Sequence, residues 1–319
     1  MTKTAVQSSA PAKKDESGFA RVWKNIKRCK WLYLMLLPAL AWYLIFCYQP
    51  MYGAQIAFKQ FNPAQGITGS PWVGFRYFQQ FFRSPYLGRL IRNTLGISLY
   101  DIIVGFPAPI LLALLINEVQ QKYVQKVVQT VVYLPHFIST VVMAGMVLAF
   151  LAPNTGIVNS LIMSLGGESI HFMAKPEYFK TVFVLSGVWQ GAGWGSIIYL
   201  AALTSIDPSL YEAAIVDGAT KFQRLIRITL PCIAPTIMIM LILRMGSIFS
   251  VGYEKIILLY NDATMETADV ISSYVYRRGI QGGEFSFSTA VGLFNSLINF
   301  IVIITFNKIS RKFSEVSLW

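Results

Sequence analysis

One stretch of this chain carries acids, bases and a glycine hinge between two long apolar runs. It reads Asp207-Pro208-Ser209-Leu210-Tyr211-Glu212-Ala213-Ala214-Ile215-Val216-Asp217-Gly218-Ala219 and continues to Leu230-Pro231. Its chemistry is that of docking, not of bond breaking. Asp207 is a good helix N-cap and Pro208 suits the first helical position, where a missing N–H costs nothing. Gly218 suits the left-handed residue that ends a helix. Lys221, Phe222, Leu225, Ile226 and Ile228 then predict a second, amphipathic helix that stops at Pro231. The expected product is a small two-helix knob at about 207–230.

The apolar runs contain a second set of candidate residues. Trp189, Gln190, Trp194, Ser196 and Tyr199 lie in one of them, interrupted by Gly187, Gly191, Gly193 and Gly195. The glycines allow close helix approach or local unwinding. Asn295 and Asn299 share one face of another run, four residues apart. Amides in lipid face a bundle interior or a cavity, or else join helix to helix. Two charges also fall inside apolar runs. Asp101 lies nine residues after Arg92 and Arg244 nine before Tyr253, so both are roughly 14 Å deep at 1.5 Å per residue. Equal depth allows an Asp101–Arg244 ion pair; alternatively Arg244 faces a pathway and reads an anionic ligand.

The elements that position these residues are membrane helices. The chain has 319 residues, 55% hydrophobic and only 13% charged, with mean hydropathy +0.52. Soluble domains carry about 25% charged residues. At about 20 apolar residues per span, six are expected: 31–51, 93–116, 127–151, 180–203, 230–252 and 289–307. Residues 1–30 form a basic leader, with Phe19, Val22, Trp23 and Ile26 at helical spacing among Arg21, Lys24, Lys27, Arg28 and Lys30. It suits either an anionic lipid surface or a solvated tail. Residues 31–319 form the transmembrane domain. Sixteen Lys and Arg fall on the side of the N-terminus and ten on the other, so both termini are expected in the cytoplasm, with the knob. The loop 52–92 holds Trp72, Phe75, Tyr77, Phe78, Phe81 and Phe82, suited to packing and the membrane interface or to contact with a partner outside.

Several classes are disfavoured. Cys29, Cys47 and Cys232 are distant and odd in number, fitting neither a disulfide framework nor a metal site. His136 and His171 lack partners at ligand spacing. No Gly-x-x-x-x-Gly-Lys-Ser/Thr run exists to cradle ATP phosphates. The net charge of +12 is assigned to the membrane surface, with no nucleic-acid partner. No catalytic cluster is visible.

The knob resembles the EAA loop of ABC importer permeases, through Glu212-Ala213-Ala214, Asp217-Gly218-Ala219, Leu225, Ile228, Leu230-Pro231 and Pro235. Leu225 stands where that family usually has Phe. Leu37-Pro38-Ala39, Gln49-Pro50-Met51-Tyr52-Gly53, Trp72-Val73-Gly74-Phe75, Asn93-Thr94-Leu95, Asn117-Glu118, Tyr133-Leu134-Pro135-His136-Phe137, Ile197-Ile198-Tyr199-Leu200-Ala201-Ala202-Leu203 and Ser317-Leu318-Trp319 are similar to carbohydrate permeases of the maltose-type (MalF) family, LplB-like branch. The resemblance implies an all-α polytopic protein of the type I importer kind in the bacterial cytoplasmic membrane. It implies a non-enzymatic subunit that forms half the translocation pathway for a sugar or oligosaccharide. The implied partners are a second homologous permease, two cytoplasmic ATPase subunits and an extracytoplasmic sugar-binding lipoprotein. The chain itself would bind no cofactor; ATP and Mg²⁺ would belong to the ATPases.

On that resemblance Glu212, Ala213, Ala214, Asp217, Gly218, Ala219, Leu225 and Pro231 couple to the ATPase. Sugars need stacking rings and hydrogen-bonding amides, so Trp189, Gln190, Trp194, Tyr199, Arg244, Asn295 and Asn299 are the expected pathway residues. The alternatives are an ion-gradient secondary transporter, which has no need of a docking knob, or an ABC permease for a non-sugar solute.

Overall fold

The computed structural model describes residues 27–313. The amphipathic part of the leader before residue 27, and Ser317-Leu318-Trp319, lie outside them. The chain divides into two compact units, residues 1–55 and 56–319. Among the described residues the structure is helical, with one isolated bridge between Lys59 and Trp72.

Four helices are long and apolar enough to cross a membrane: α1 (Lys30–Phe58), α2 (Leu87–Asn117), α7 (Lys221–Met245) and α9 (Phe285–Phe313). A bent pair, α3 (Lys122–Phe137) and α4 (Thr140–Phe150), would be a fifth. This corrects one expectation. The segment 127–151 is not one straight span: it turns by 101° between α3 and α4. Pro135 lies in the short 3₁₀ turn that ends α3, and Ser139 restarts the chain by capping the Val142 N–H at 3.3 Å. The expected span 180–203 lies within one continuous 29-residue helix, α5 (Pro176–Thr204). The knob supplies α6 (Pro208–Val216), and α8 (Tyr253–Leu259) follows α7.

Prolines shape the long helices in one recurrent way. Wide π turns at Leu44–Tyr48, Asp101–Gly105 and Leu225–Thr229 each end two residues before a proline: Pro50, Pro107 and Pro231. In a regular helix a proline ring strikes the carbonyl four residues back and lacks its own N–H. Here that carbonyl belongs to Phe46, Ile103 or Arg227, in each case the middle residue of the widened turn. The N–H groups of Gln49, Phe106 and Leu230 bond five residues back instead. The helix therefore passes through. The expectation that Pro231 stops the knob's second helix is corrected: the helix continues as α7.

Packing in the second unit relies on close approach, since lipid gives helices little hydrophobic drive to associate. A β-carbon built at Gly193 on α5 would collide with the Val132 carbonyl of α3, and one at Gly195 would sit 3.1 Å from Pro109 of α2. One apolar cluster joins Ile110, Ala113 and Ile116 of α2 to Leu200 and Leu203 of α5 and Ile233 of α7. Another joins Phe81, Leu90, Ile271, Tyr274 and Phe287. The aromatic loop folds on itself: Phe58 stacks on Trp72 with centroids 5.7 Å apart and meets Phe75 and Phe78 at 5.4 Å.

Candidate functional site

Two features of the second unit bear on function: a cavity between α2, α5, α7 and α8, and the knob.

The cavity has a volume of about 630 Å³, within the roughly 300–1,000 Å³ of small-molecule sites. α2 contributes Ser98, Asp101 and Phe106; α5 contributes Phe183, Gly187, Gly191 and Tyr199; α7 contributes Met240, Leu243 and Arg244; α8 contributes Lys255. Arg244 Nη2 contacts Asp101 Oδ2, with the arginine side chain half exposed and the aspartate largely covered. Asp101 opens the π turn before Pro107, and Gly105 at the end of that turn lies against its carboxylate with no room for a β-carbon. Lys255 Nζ donates to the Phe183 carbonyl at 2.5 Å and lies 4.4 Å from the Phe183 ring centre. Ser98 Oγ donates to the Ile248 carbonyl and fastens the segment after α7 to α2.

Of the expected pathway residues, Tyr199 and Arg244 line this cavity. Trp189, Gln190, Trp194, Asn295 and Asn299 do not. Gln190 Nε2 donates to the Ile138 carbonyl at 2.8 Å, and Trp194 stacks on His136 at 4.6 Å and 4°. With Gly193 under Val132, these residues brace the bend between α3 and α4. Residues 187, 191, 195 and 199, four apart, form the cavity face of the same helix. Asn299 joins α9 to the segment after α7: its Oδ1 accepts from the Phe249 N–H at 3.0 Å and its Nδ2 donates to Ser250 Oγ at 2.8 Å. Asn295 Oδ1 is buried without a hydrogen-bond partner among the described residues.

The knob's first helix begins as expected, with Asp207 Oδ1 accepting from the Ser209 N–H at 2.9 Å. That bond holds the Asp207 carboxyl below its usual range. The helix ends in a Schellman arrangement: Ala219 N–H to Ala214 O at 2.8 Å and Gly218 N–H to Ile215 O at 3.0 Å, with Gly218 at φ +76°. Glu212, Ala213, Asp217 and Gly218 are exposed, whereas Ala214, Ala219 and Leu225 are half-buried. Pro231 lies in the continuous helix above. Two ties were not anticipated. Thr220 and Gln223 form a capping box, with bonds of 3.3 and 2.8 Å. Tyr211 Oη lies 2.9 Å from Thr229 Oγ1. Leu210, Ile215, Val216 and Phe222 leave an apolar surface beside Glu212, with Val216 87% exposed.

A further polar cluster was also missed. Asp269 is fully buried and accepts from Arg277 Nη2 at 2.8 Å, Arg89 Nη2 at 3.0 Å and Ser273 Oγ at 2.8 Å. Asn93 Nδ2 donates to the carbonyls of Glu266 and Asp269. The signal was the spacing 269, 273, 277, an acid, a hydroxyl and a base each four residues apart.

Comparison with known proteins decides the family. The model of the binding-protein-dependent transport system inner membrane component matches residues 105–315. The chain belongs to that family. This permease is 46% identical over 294 residues to the protein LplB of Bacillus subtilis (strain 168), covering 92% of each chain. It is 42% identical over 290 residues to the polygalacturonan/rhamnogalacturonan transport system permease protein YteP of the same organism, covering 91% of this chain and 90% of that one. A chain of the crystal structure of a bacterial alginate ABC transporter, in complex with an alginate pentasaccharide-bound periplasmic protein, superposes with TM-score 0.85 at 49% identity. That match covers 93% of the permease and all of the other chain. The permease is thus an inner-membrane transport component, not an enzyme, and the matches give no support to an ion-gradient carrier.

Proposed function

We propose that this permease forms half of the pathway of an ATP-driven importer of oligosaccharides, and that acidic oligosaccharides are its substrates. The observation that carries the reading is the cavity: aromatic walls from Phe106, Phe183 and Tyr199 beside the cations Arg244 and Lys255. Ring faces of sugars pack on aromatic walls, and carboxylates pair with cations in low dielectric. The relatives named for polygalacturonan/rhamnogalacturonan and for the acidic polysaccharide alginate support the same class.

Both termini and the knob lie in the cytoplasm in this reading, and the knob docks on an ATPase subunit through Val216, Ile215 and Phe222. Its Schellman end, capping box and Tyr211–Thr229 tie make it stiff enough to move as one body with α7. A second homologous permease, two ATPase subunits that bind ATP and Mg²⁺, and an extracytoplasmic sugar-binding protein complete the machine. Cells with the chain deleted and then restored are to be given a labelled hexuronic-acid trisaccharide. ATP-dependent uptake only with the chain is expected. Uptake that survives deletion, or restored uptake driven by an ion gradient alone, overturns the proposal.

A further inference from the structure

Three charged side chains line the cavity: Asp101, Arg244 and Lys255. Asp101 is already in contact with Arg244, so these two cancel. Lys255 has no carboxylate at ion-pair distance among the described residues. The uncompensated charge of the cavity is therefore the ammonium of Lys255.

Its protein contacts do not require a charge. The Phe183 carbonyl, its acceptor, sits inside the continuous helix α5 and also accepts from Ser186 Oγ at 3.1 Å. That oxygen would be satisfied without a lysine, and a neutral amide could replace it. An ammonium half-buried against an aromatic ring costs desolvation that one carbonyl does not offset. Among the described residues two of its three N–H groups have no acceptor, and Gly187 leaves the space beside them: a β-carbon built there would lie 3.1 Å from Nζ.

We infer that Lys255, and not Arg244, is the residue of this cavity that reads the carboxylate of a passing acidic sugar. The inference rests on the sugar-import reading. Arg244 is a positioning residue: paired to Asp101, it joins α7 to α2 at the cavity wall. Lys255 supplies the positive charge from α8, beside Gly187 on α5's small-residue face.

The test uses the intact transporter, assembled in cells with its own delivery protein. Uptake of a hexuronic-acid trisaccharide and of its partly methyl-esterified counterpart is measured for wild type, Lys255→Gln and Lys255→Arg. The delivery protein is unchanged, so a shift in the acid-to-ester ratio comes from this chain. Lys255→Gln is expected to lower that ratio at least tenfold with ester uptake kept within twofold, and Lys255→Arg to restore it. A Lys255→Gln ratio equal to wild type, or equal loss of both substrates in every variant, overturns the inference. If Lys255→Gln fails to reach the membrane, Gly187→Ala keeps the lysine and crowds Nζ. It is expected to lower the ratio severalfold, and an unchanged ratio contradicts the inference. Wild type that imports neither sugar overturns the sugar reading itself, a result separable from any effect of Lys255.

Discussion

Tyr211 Oη lies 2.9 Å from Thr229 Oγ1, so the first helix of the knob is bonded to the π turn at the foot of the next membrane helix. In the proposed coupling, a push on α6 reaches α7 through this bond and through the Schellman turn at Gly218. Tyr211→Phe removes one half-buried hydrogen bond, worth about 1 kcal/mol. The permease should reach the membrane normally, while ATPase stimulation by the loaded delivery protein in proteoliposomes falls about fivefold, since 1.4 kcal/mol is roughly a factor of ten. Unchanged stimulation would show that the bond plays no part in coupling.

Gly218 tests backbone and docking separately. A β-carbon there meets nothing within 4 Å, yet φ is +76°. Asn adopts that conformation more readily than β-branched residues. Gly218→Asn should retain most transport and Gly218→Val should lose it, with equal membrane levels by immunoblot. Equal activity of the two would remove the conformational argument.

Gly193 and Gly191 lie two residues apart on α5 with opposite expectations. The Val132 carbonyl occupies the place of a Gly193 side chain, and backbone cannot yield as a flexible side chain can; around Gly191 there is open space. Gly193→Ala should destabilise by about 1–3 kcal/mol or more and lower the amount of folded permease recovered in mild detergent. Gly191→Ala should leave recovery unchanged. Equal recovery would mean that the brace at the α3–α4 bend is dispensable.

Asp269 is buried against two arginines. Removing one partner of a buried pair typically costs about 3–5 kcal/mol because the other charge stays behind unpaired. Asp269→Asn should sharply lower thermal stability in detergent, and Asp269→Asn with Arg277→Gln should lose less than the two single changes summed. Additive losses would argue against the pairing.

Much of the architecture was legible because lipid demands long apolar runs and because Asp207, Pro208 and Gly218 have narrow backbone roles. The face of a helix was not legible. Gln190 and Trp194 have the chemistry of a sugar path, yet they brace a bend that Pro135 and Ser139 create. Helical period alone separates 187, 191, 195 and 199 from 190, 193 and 194 but does not say which set faces a cavity. Pro231 misled for a similar reason: its breaking effect is local, and a single widened turn absorbs it. Lys255 counts in sequence as one more loop charge, because nothing near it shows that the chain folds back between α2 and α5.

The most direct test of the central claim is co-purification of the tagged permease from native membranes in mild detergent, wild type against Gly218→Val. Wild type is expected to bring a second permease and an ATPase subunit, and Gly218→Val, which the φ of +76° strains, to keep the permease partner but lose the ATPase. Wild type recovered alone, or an ATPase held equally by both forms, would contradict the account of the knob as the lever of an ATP-driven importer.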